Sequence, residues 1–307
     1  MAASPYTNLD RPPLSARALQ RALVVPGGMW HQVDVVAETG STNADVAQAA
    51  RDGAAEGLVL VAEQQVAGRG RRDRQWLSPP RAGLTLSVLL RPGLADADRG
   101  WNPAPQRAWG WLPLLAGVAL LEAVQRVAEV DAALKWPNDL LVTDAPGDPG
   151  KGGESGTARE FGTAGEPGKA AGILAEVAGD AVVVGIGLNV STRAEELPET
   201  TGLPPTSLRI AGAESTDRDP MLRALLRGIA RWYGGWRETD GDAELCGLLG
   251  AYRRGCATLG REVRVLLPEG GALTGEATTV DGDGQLVIRT ADGTERRVSA
   301  GDVLHVR

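Results

Sequence analysis

Two runs that read as β-strands, Leu58–Glu63 and Leu84–Leu90, bracket the stretch Gly68-Arg69-Gly70-Arg71-Arg72-Asp73-Arg74-Gln75-Trp76. Its arginines cannot enter a core without partners, so the fold has to carry this stretch as a loop between the two strands. Gly68 and Gly70 permit backbone angles and close approaches that a side chain forbids. The guanidiniums are planar forks that match carboxylate and phosphate oxygens. Such a loop suits an anionic ligand. Taken alone it also reads as a solvated basic turn.

The rest of the chain makes this positive feature local. The net charge is −7 at pH 7, which argues against general nucleic-acid binding, a role that needs a basic surface. A content of 43% hydrophobic and 23% charged residues is that of a soluble globular protein. The 307 residues suffice for one large domain and a small one. The most apolar run, Leu112–Leu121, ends at Glu122, Gln125 and Arg126 and reads as too short to cross a bilayer. The start is polar and Pro-rich with no secretory pattern, so a cytoplasmic location is expected. Cys246 and Cys256 lack metal-type spacing and are expected to be reduced. His31 and His305, the only histidines, lie at opposite ends, which disfavours a zinc site or a Ser-His-Asp triad. The three lysines, Lys135, Lys151 and Lys169, stand among 32 basic residues. Where arginine is the default cation, a lysine marks a place for a compact ammonium; Lys151, in a Gly-rich linker, reads as a solvated charge.

Along the chain, residues 1–12 are expected to be disordered, and helices are expected at Leu14–Leu23, from Ser41 or Thr42 as N-cap to about Arg51, and at Leu112–Val127. A strand is expected at Val33–Ala37, with two short ones, Leu134–Trp136 and Leu140–Val142, around Pro137-Asn138. Residues 144–169 are too poor in apolar side chains to bury a core and read as a mobile insert. Strands return at Ala171–Val177 and Ala181–Val190, then helices at Met221–Trp236 and Ala243–Cys256. Beyond Leu259-Gly260 short alternating runs, Glu262–Leu267, Leu273–Val280, Gln285–Arg289 and Glu295–Val298, are separated by Gly and Asp-Gly turns, the pattern of a small β-barrel.

Five segments occur in order: Glu38-Thr39-Gly40-Ser41-Thr42-Asn43, the arginine loop, Lys135-Trp136-Pro137-Asn138-Asp139, Lys169-Ala170-Ala171-Gly172-Ile173-Leu174-Ala175-Glu176 and Gly185-Ile186-Gly187-Leu188-Asn189-Val190. Together they resemble the biotin–protein ligases, over roughly residues 35–190 and more weakly to the C-terminus. The resemblance implies an α+β fold: a class II synthetase-like catalytic domain, a mixed sheet packed with helices, followed by an SH3-like β-barrel. The division expected is an N-terminal extension (1–30), a catalytic domain (31–258, with the 144–169 insert) and a C-terminal domain (259–307). About 35 residues precede the resemblance, too few for the DNA-binding domain that some family members carry.

The implied activity is ATP-dependent formation of biotinyl-AMP and transfer of biotin to a lysine of a biotin carboxyl carrier domain of acyl-CoA carboxylases, with magnesium accompanying ATP and no metal site from protein alone. Neither DNA nor membrane is an expected partner. By the same resemblance Ser41, Thr42, Asn43, Gln65, Gly68, Arg69, Gly70, Arg71, Lys169 and Gly172 belong to biotin. Arg71, Trp76, Lys135, Asn138, Asp139 and Asn189 belong to ATP, and Lys135, Arg69 and Asp139 are catalytic. Ser41 and Thr42 also read as plain helix caps, and Trp76 either packs over a closed site or anchors the loop. Gly185 and Gly187 read as close strand packing. Asp73 stands where many family members have Gly, so it alters the loop's backbone path or pairs with a neighbouring Arg. The alternatives are a lipoate–protein ligase, which the arginine loop and Lys-Trp-Pro-Asn-Asp disfavour, and a non-catalytic biotin-binding protein.

Overall fold

The computed structural model describes residues 10–71, 74–143, 167–200, 202–267 and 270–306. Arg72, Asp73, Lys151 and nearly all of the expected insert lie outside them.

Strands β1 (Gln32–Val36), β2 (Leu58–Ala62), β3 (Gly83–Leu90), β4 (Ala132–Lys135), β5 (Asp139–Thr143), β6 (Pro167–Ala178) and β7 (Ala181–Asn189) form one sheet in the order β1-β2-β3-β7-β6-β5-β4. β1 and β2 run parallel and the other pairs antiparallel, so the sheet is mixed. Helix α1 (Ala16–Leu23) is capped by Ser15, and helix α2 (Thr42–Arg51) by Ser41, whose Oγ accepts from the Ala44 N–H. Helices α3 (Trp111–Val127), α4 (Arg218–Glu238) and α5 (Leu248–Gly255) complete the large unit.

The alternation of β3 and β7 sorts their side chains onto two faces. Val88, Val182 and Val184 join the main core with α3 and α4, while Leu89 and Val183 pack with Val46 and Ala50 of α2. Ser87, Gly185 and Gly187 share the α2 face and leave it open beyond the helix start, which is where the site lies.

Five further strands, β8 (Glu262–Leu266), β9 (Ala272–Val280), β10 (Leu286–Arg289), β11 (Glu295–Val298) and β12 (Asp302–His305), build the small antiparallel C-terminal barrel in the order β11-β10-β9-β8-β12. Its seam with the large unit is polar as well as packed. Trp111 Nε1 donates to Gly282 O at 2.7 Å and Trp136 Nε1 to Gly284 O at 3.2 Å. The Ala257 N–H reaches Leu134 O at 2.8 Å. Gly284 has φ +81°, a conformation that favours glycine, and its backbone lies against Gly110.

Several expectations change. The helix expected over Ala243–Cys256 is only Leu248–Gly255, because Asp242 Oδ1 accepts from the N–H groups of Glu244 and Leu245 in a turn and Gly247 is left-handed. The fifth barrel strand, β12, was not among the expected runs, although Gly301-Asp302 marks its start. β6 begins at Pro167, so Lys169 belongs to a strand rather than to the insert. Arg11, inside the stretch expected to be disordered, is 6% exposed and fully engaged. Gln106–Val127 is in fact long and apolar enough to cross a membrane by length and composition, but 72% of its apolar window is buried between sheet and helices, as a core helix requires.

Trp111→Phe and Trp136→Phe each remove one N–H donor to the barrel turn while keeping an aromatic ring. Each should lower unfolding free energy by about 1 kcal/mol in urea titration; stability equal to the wild type in both variants would mean that the seam does not depend on these bonds.

Candidate active site

Between the open sheet face, the arginine loop and the barrel lies a cavity of about 880 Å³. Its floor is made by missing side chains. A Cβ on Gly187 would come within 2.4 Å of Trp76 Cε2, and one on Gly185 within 2.0 Å of Asn43 Oδ1. Both glycines are therefore close-packing positions, and what they seat are two of the expected site residues. Trp76 lies across the sheet and anchors the returning end of the loop.

The loop itself is a small hairpin. The Trp76 N–H donates to Gly68 O at 2.9 Å, the Gly70 N–H to Arg74 O at 2.6 Å, and Arg69 bridges Gln75. Gly68 is buried at the hairpin's base, where a Cβ would strike Trp76 O and Gln65 Nε2, and it does not line the cavity. Arg69, half exposed, faces Glu176 across 3.6 Å. Arg71 Nη1 donates to Asn138 Oδ1 at 3.2 Å. Arg74 reaches the barrel, with Nη2 2.9 Å from Asp302 Oδ1, and is not a merely solvated charge.

At one end of the floor a buried polar cluster gathers. Gln65 Oε1 accepts from the Thr42 N–H at 2.7 Å and lies 3.0 Å from Thr42 Oγ1. Ser87 Oγ lies 2.6 Å from Asn43 Oδ1 and 2.8 Å from Thr42 Oγ1. Asn43 Nδ2 donates to Leu174 O and to Glu176 Oε2. Asn43 is thus fully committed to the protein, whereas Gln65 Nε2 points toward Gly68 beside the loop.

At the other end sit the lysines. Lys135 closes β4 directly opposite Asp139 on β5, and Lys169 Nζ lies 2.7 Å from Asp139 Oδ1. Burial pulls the Lys135 pKa down, and Asp139 works against that shift. Among the described residues Lys135 forms no ion pair. Lys169 reaches this place through a β-bulge: Leu140 pairs with Ala171 and Leu141 with Lys169, leaving Ala170 as the extra residue. Ala170 and Ala171 both enter the core, while Lys169 and Gly172 both face the cavity. Asn138 is held by an Nδ2 bond to Ile173 O and returns a carbonyl to the Ile173 N–H. Asn189 donates to Thr206 O at 3.0 Å, and its Oδ1 is buried with no partner among the described residues.

All the expected site residues except Gly68 therefore line one cavity. Others were not foreseen. Glu176 binds both Asn43 and Arg69, Ser87 bridges Thr42 and Asn43, and residues 198–200 and 202–205 form one wall. The barrel adds Arg261, Asp302 and His305. Thr258 Oγ1 accepts from the Trp136 N–H, so its own proton is free for His305 Nε2, 3.2 Å away. Burial, with Lys135 and Arg261 nearby, pushes His305 down to about 4, so the ring is neutral at pH 7. A histidine at the far end of the chain carried no signal toward this site. Among the described residues no three His, Cys, Asp or Glu side chains gather as a metal site.

The profile of the Biotin/lipoate A/B protein ligase family matches residues 39–190, and that of the Biotin protein ligase C terminal domain matches 258–306. The biotin–[acetyl-CoA-carboxylase] ligase of Mycobacterium tuberculosis is 40% identical over 301 residues, 97% of each chain. The bifunctional ligase/repressor BirA of Bacillus subtilis is 30% identical over 265 residues, 85% of this chain and 70% of that one. The biotin protein ligase of Aquifex aeolicus in complex with biotin and ATP superposes with a TM-score of 0.65 at 27% identity, over 91% of this chain and 100% of that one.

Gly187→Ala places a methyl group inside the Trp76 ring and should release the hairpin from the sheet. Amide exchange at Gly70 and Trp76 should then accelerate roughly tenfold, with an overpacking cost of about 1–3 kcal/mol. Unchanged exchange would show that the floor does not hold the loop.

Proposed function

The chain belongs to the biotin protein ligases, and within that family we propose that it joins biotin to ATP as biotinyl-5'-AMP and passes the biotinyl group to one lysine of a biotin carboxyl carrier domain of acyl-CoA carboxylases. The observation that carries this reading is the convergence of Arg69, Arg71, Lys135 and Lys169 on one cavity of an acidic chain. The reaction brings two anions together, and concentrated cations lower that barrier most where water is excluded.

In the first step a biotin carboxylate oxygen attacks the α-phosphorus, the bond to the bridging oxygen breaks, and pyrophosphate leaves. Lys169, beside Gly172, suits the carboxylate, and Arg69 lines the same cavity. Lys135 suits the α-phosphate, where a point charge meets the growing negative charge. Thr42, Gln65 and Ser41 suit the ureido group, whose polar atoms need partners once buried. Asn138 and the unpartnered Asn189 Oδ1 suit the nucleotide, since a buried acceptor calls for a donor such as an exocyclic amine.

In the second step the carrier's amine attacks the acyl carbon and AMP leaves. Asp139, which lies beside Lys169 and opposite Lys135, suits the role of taking the proton that the amine sheds. Magnesium would arrive with ATP and draw much of its shell from the phosphates, with the cavity's Asp139 and Asp302 as nearby carboxylates.

We divide the chain into an N-terminal extension (1–30), a catalytic domain (31–258) and a C-terminal domain (259–307). The polar seam and the barrel residues in the cavity make the last a working part of the enzyme. We place the reaction in the cytoplasm, consistent with two free cysteines, and assign it neither a DNA nor a membrane partner.

Purified protein with ATP, magnesium, biotin and a carrier domain should add the mass of one biotinyl group to the carrier, and lipoate in place of biotin should add nothing. An unmodified competent carrier would overturn the assignment.

Lys135→Arg and Lys169→Arg should each slow biotin-dependent pyrophosphate exchange by roughly tenfold or more, because a broad guanidinium cannot occupy a point-charge site without displacing the ligand. Lys151→Arg should match the wild type. Equal rates for all three variants would remove the special role of the two cavity lysines.

A further inference from the structure

Two ion pairs of buried arginines, Arg11–Glu196 and Arg218–Glu63, lie outside the chemistry described so far, and both involve the short segment before α1. Arg11 sends Nη1 to Glu196 Oε1 at 3.0 Å and Nη2 to both Glu196 Oε2 and Ser191 O, the last at 2.9 Å. The Arg11 hydrogen bond is the main cause that holds the Glu196 carboxyl down at about 2. Three residues on, the Leu14 N–H donates to Glu63 Oε1 at 2.6 Å, while Arg218 Nη1 binds Glu63 Oε2 at 2.6 Å and Arg218 Nη2 binds Pro12 O at 2.6 Å. The side chains of Arg218 and Glu63 are 5% and 7% exposed.

The places these bonds grip matter more than their number. Glu63 stands at the root of the arginine loop: its carbonyl accepts from the Arg81 N–H at 2.8 Å, closing that loop at its base. Glu196 stands at the root of the other wall. The segment after Asn189 leaves β7 there, and residues 198–200 and 202–205 border the cavity. The far end of that wall is already fastened, by Lys169 N–H to Pro204 O, Thr206 N–H to Lys169 O, and Asn189 Nδ2 to Thr206 O. Its near end starts from Ala82 O, which accepts from the Val190 and Ser191 N–H groups and from Ser191 Oγ; beyond that start Glu196 is gripped by Arg11, and Arg193 makes a looser, exposed pair with Asp10 at 3.5 Å. A bidentate guanidinium–carboxylate contact fixes direction as well as distance.

We propose that Arg11 is a positioning residue for the nucleotide half of the site, with residues 11–14 acting as a strap that sets the 190–206 wall relative to the arginine loop. The proposal rests on the assignment of Asn189 and its neighbours to ATP. Arg11 touches neither substrate; it acts through Glu196. The strap thus gives the N-terminal extension a part in adenylation, although none of its described residues lines the cavity.

Thr42, Gln65 and the glycine floor lie apart from the wall, and Lys169 is held to its far end by its own backbone bonds, so loosening the near end at Glu196 should spare biotin. Arg11→Ala and Glu196→Ala should each raise the KM for ATP in pyrophosphate exchange roughly tenfold, and the double variant should be no worse than either single one. Arg11→Lys, which keeps the charge but not the fork, should recover only part of the loss. Biotin affinity, read by calorimetry without ATP, should stay within about twofold of wild type. An ATP KM unchanged in both single variants overturns the proposal. So does a parallel loss of biotin affinity and melting temperature, which would mark the pair as general structure. Absence of exchange in the wild type would instead count against the function itself, and is read in the same assay.

Discussion

Trp76 lying on Gly187 is the contact on which the site is built. A strand with an ordinary side chain there would lift the indole, and with it the returning arm of the arginine hairpin, off the sheet. The same absence at Gly185 admits Asn43, which ties the start of α2 to β6 through Leu174 O and Glu176. Two missing side chains on one strand thus bring together a helix N-terminus, a cationic loop and the sheet. The cost of glycine in a strand is lost side-chain packing; here Trp76 and Asn43 supply that packing from elsewhere.

Once the floor is set, electrostatics decides what the cavity can hold. The chain carries −7 overall, yet Lys135, Lys169, Arg69 and Arg71 share one recess. Like charges held together in a half-buried place raise each other's energy, which is why burial and Lys169 depress the Lys135 pKa. Asp139, Asn138 and Glu176 partly offset the repulsion in the ligand-free protein. Cations gathered this way leave a field in the recess that favours anions over cations.

The barrel and the N-terminal strap extend this logic outward. Trp136 follows Lys135, and its indole and backbone N–H groups are spent on Gly284 O and Thr258 Oγ1. The orientation of the lysine strand is therefore set partly by a second unit. Thr258 passes the contact to His305, kept neutral by its surroundings, and Arg74 joins the loop to Asp302 on the same barrel edge.

Much of this protein was legible in its residues because the decisive features are local. The arginine loop between two strands, the Lys-Trp-Pro-Asn-Asp turn, the Ser41 cap and the Gly-rich barrel turns each follow from short-range chemistry. Most element positions agreed within a few residues, and the motifs identified the family. Other features depended on long-range packing. Simple alternation cannot put Lys169 and Gly172 on the same face, because their separation is odd; the bulge at Ala170 does so, and only pairing with β5 creates it. Asn43 reads as a ligand-facing amide, but its donors and acceptor are taken by groups more than forty residues away. Arg11 reads as part of a polar tail until Glu196 comes beside it, and His305 as a solitary ring until the barrel docks. Residue chemistry alone determined which groups could hold anions. Tertiary structure decided which of them converge, because burial and partner geometry exist only when distant segments meet.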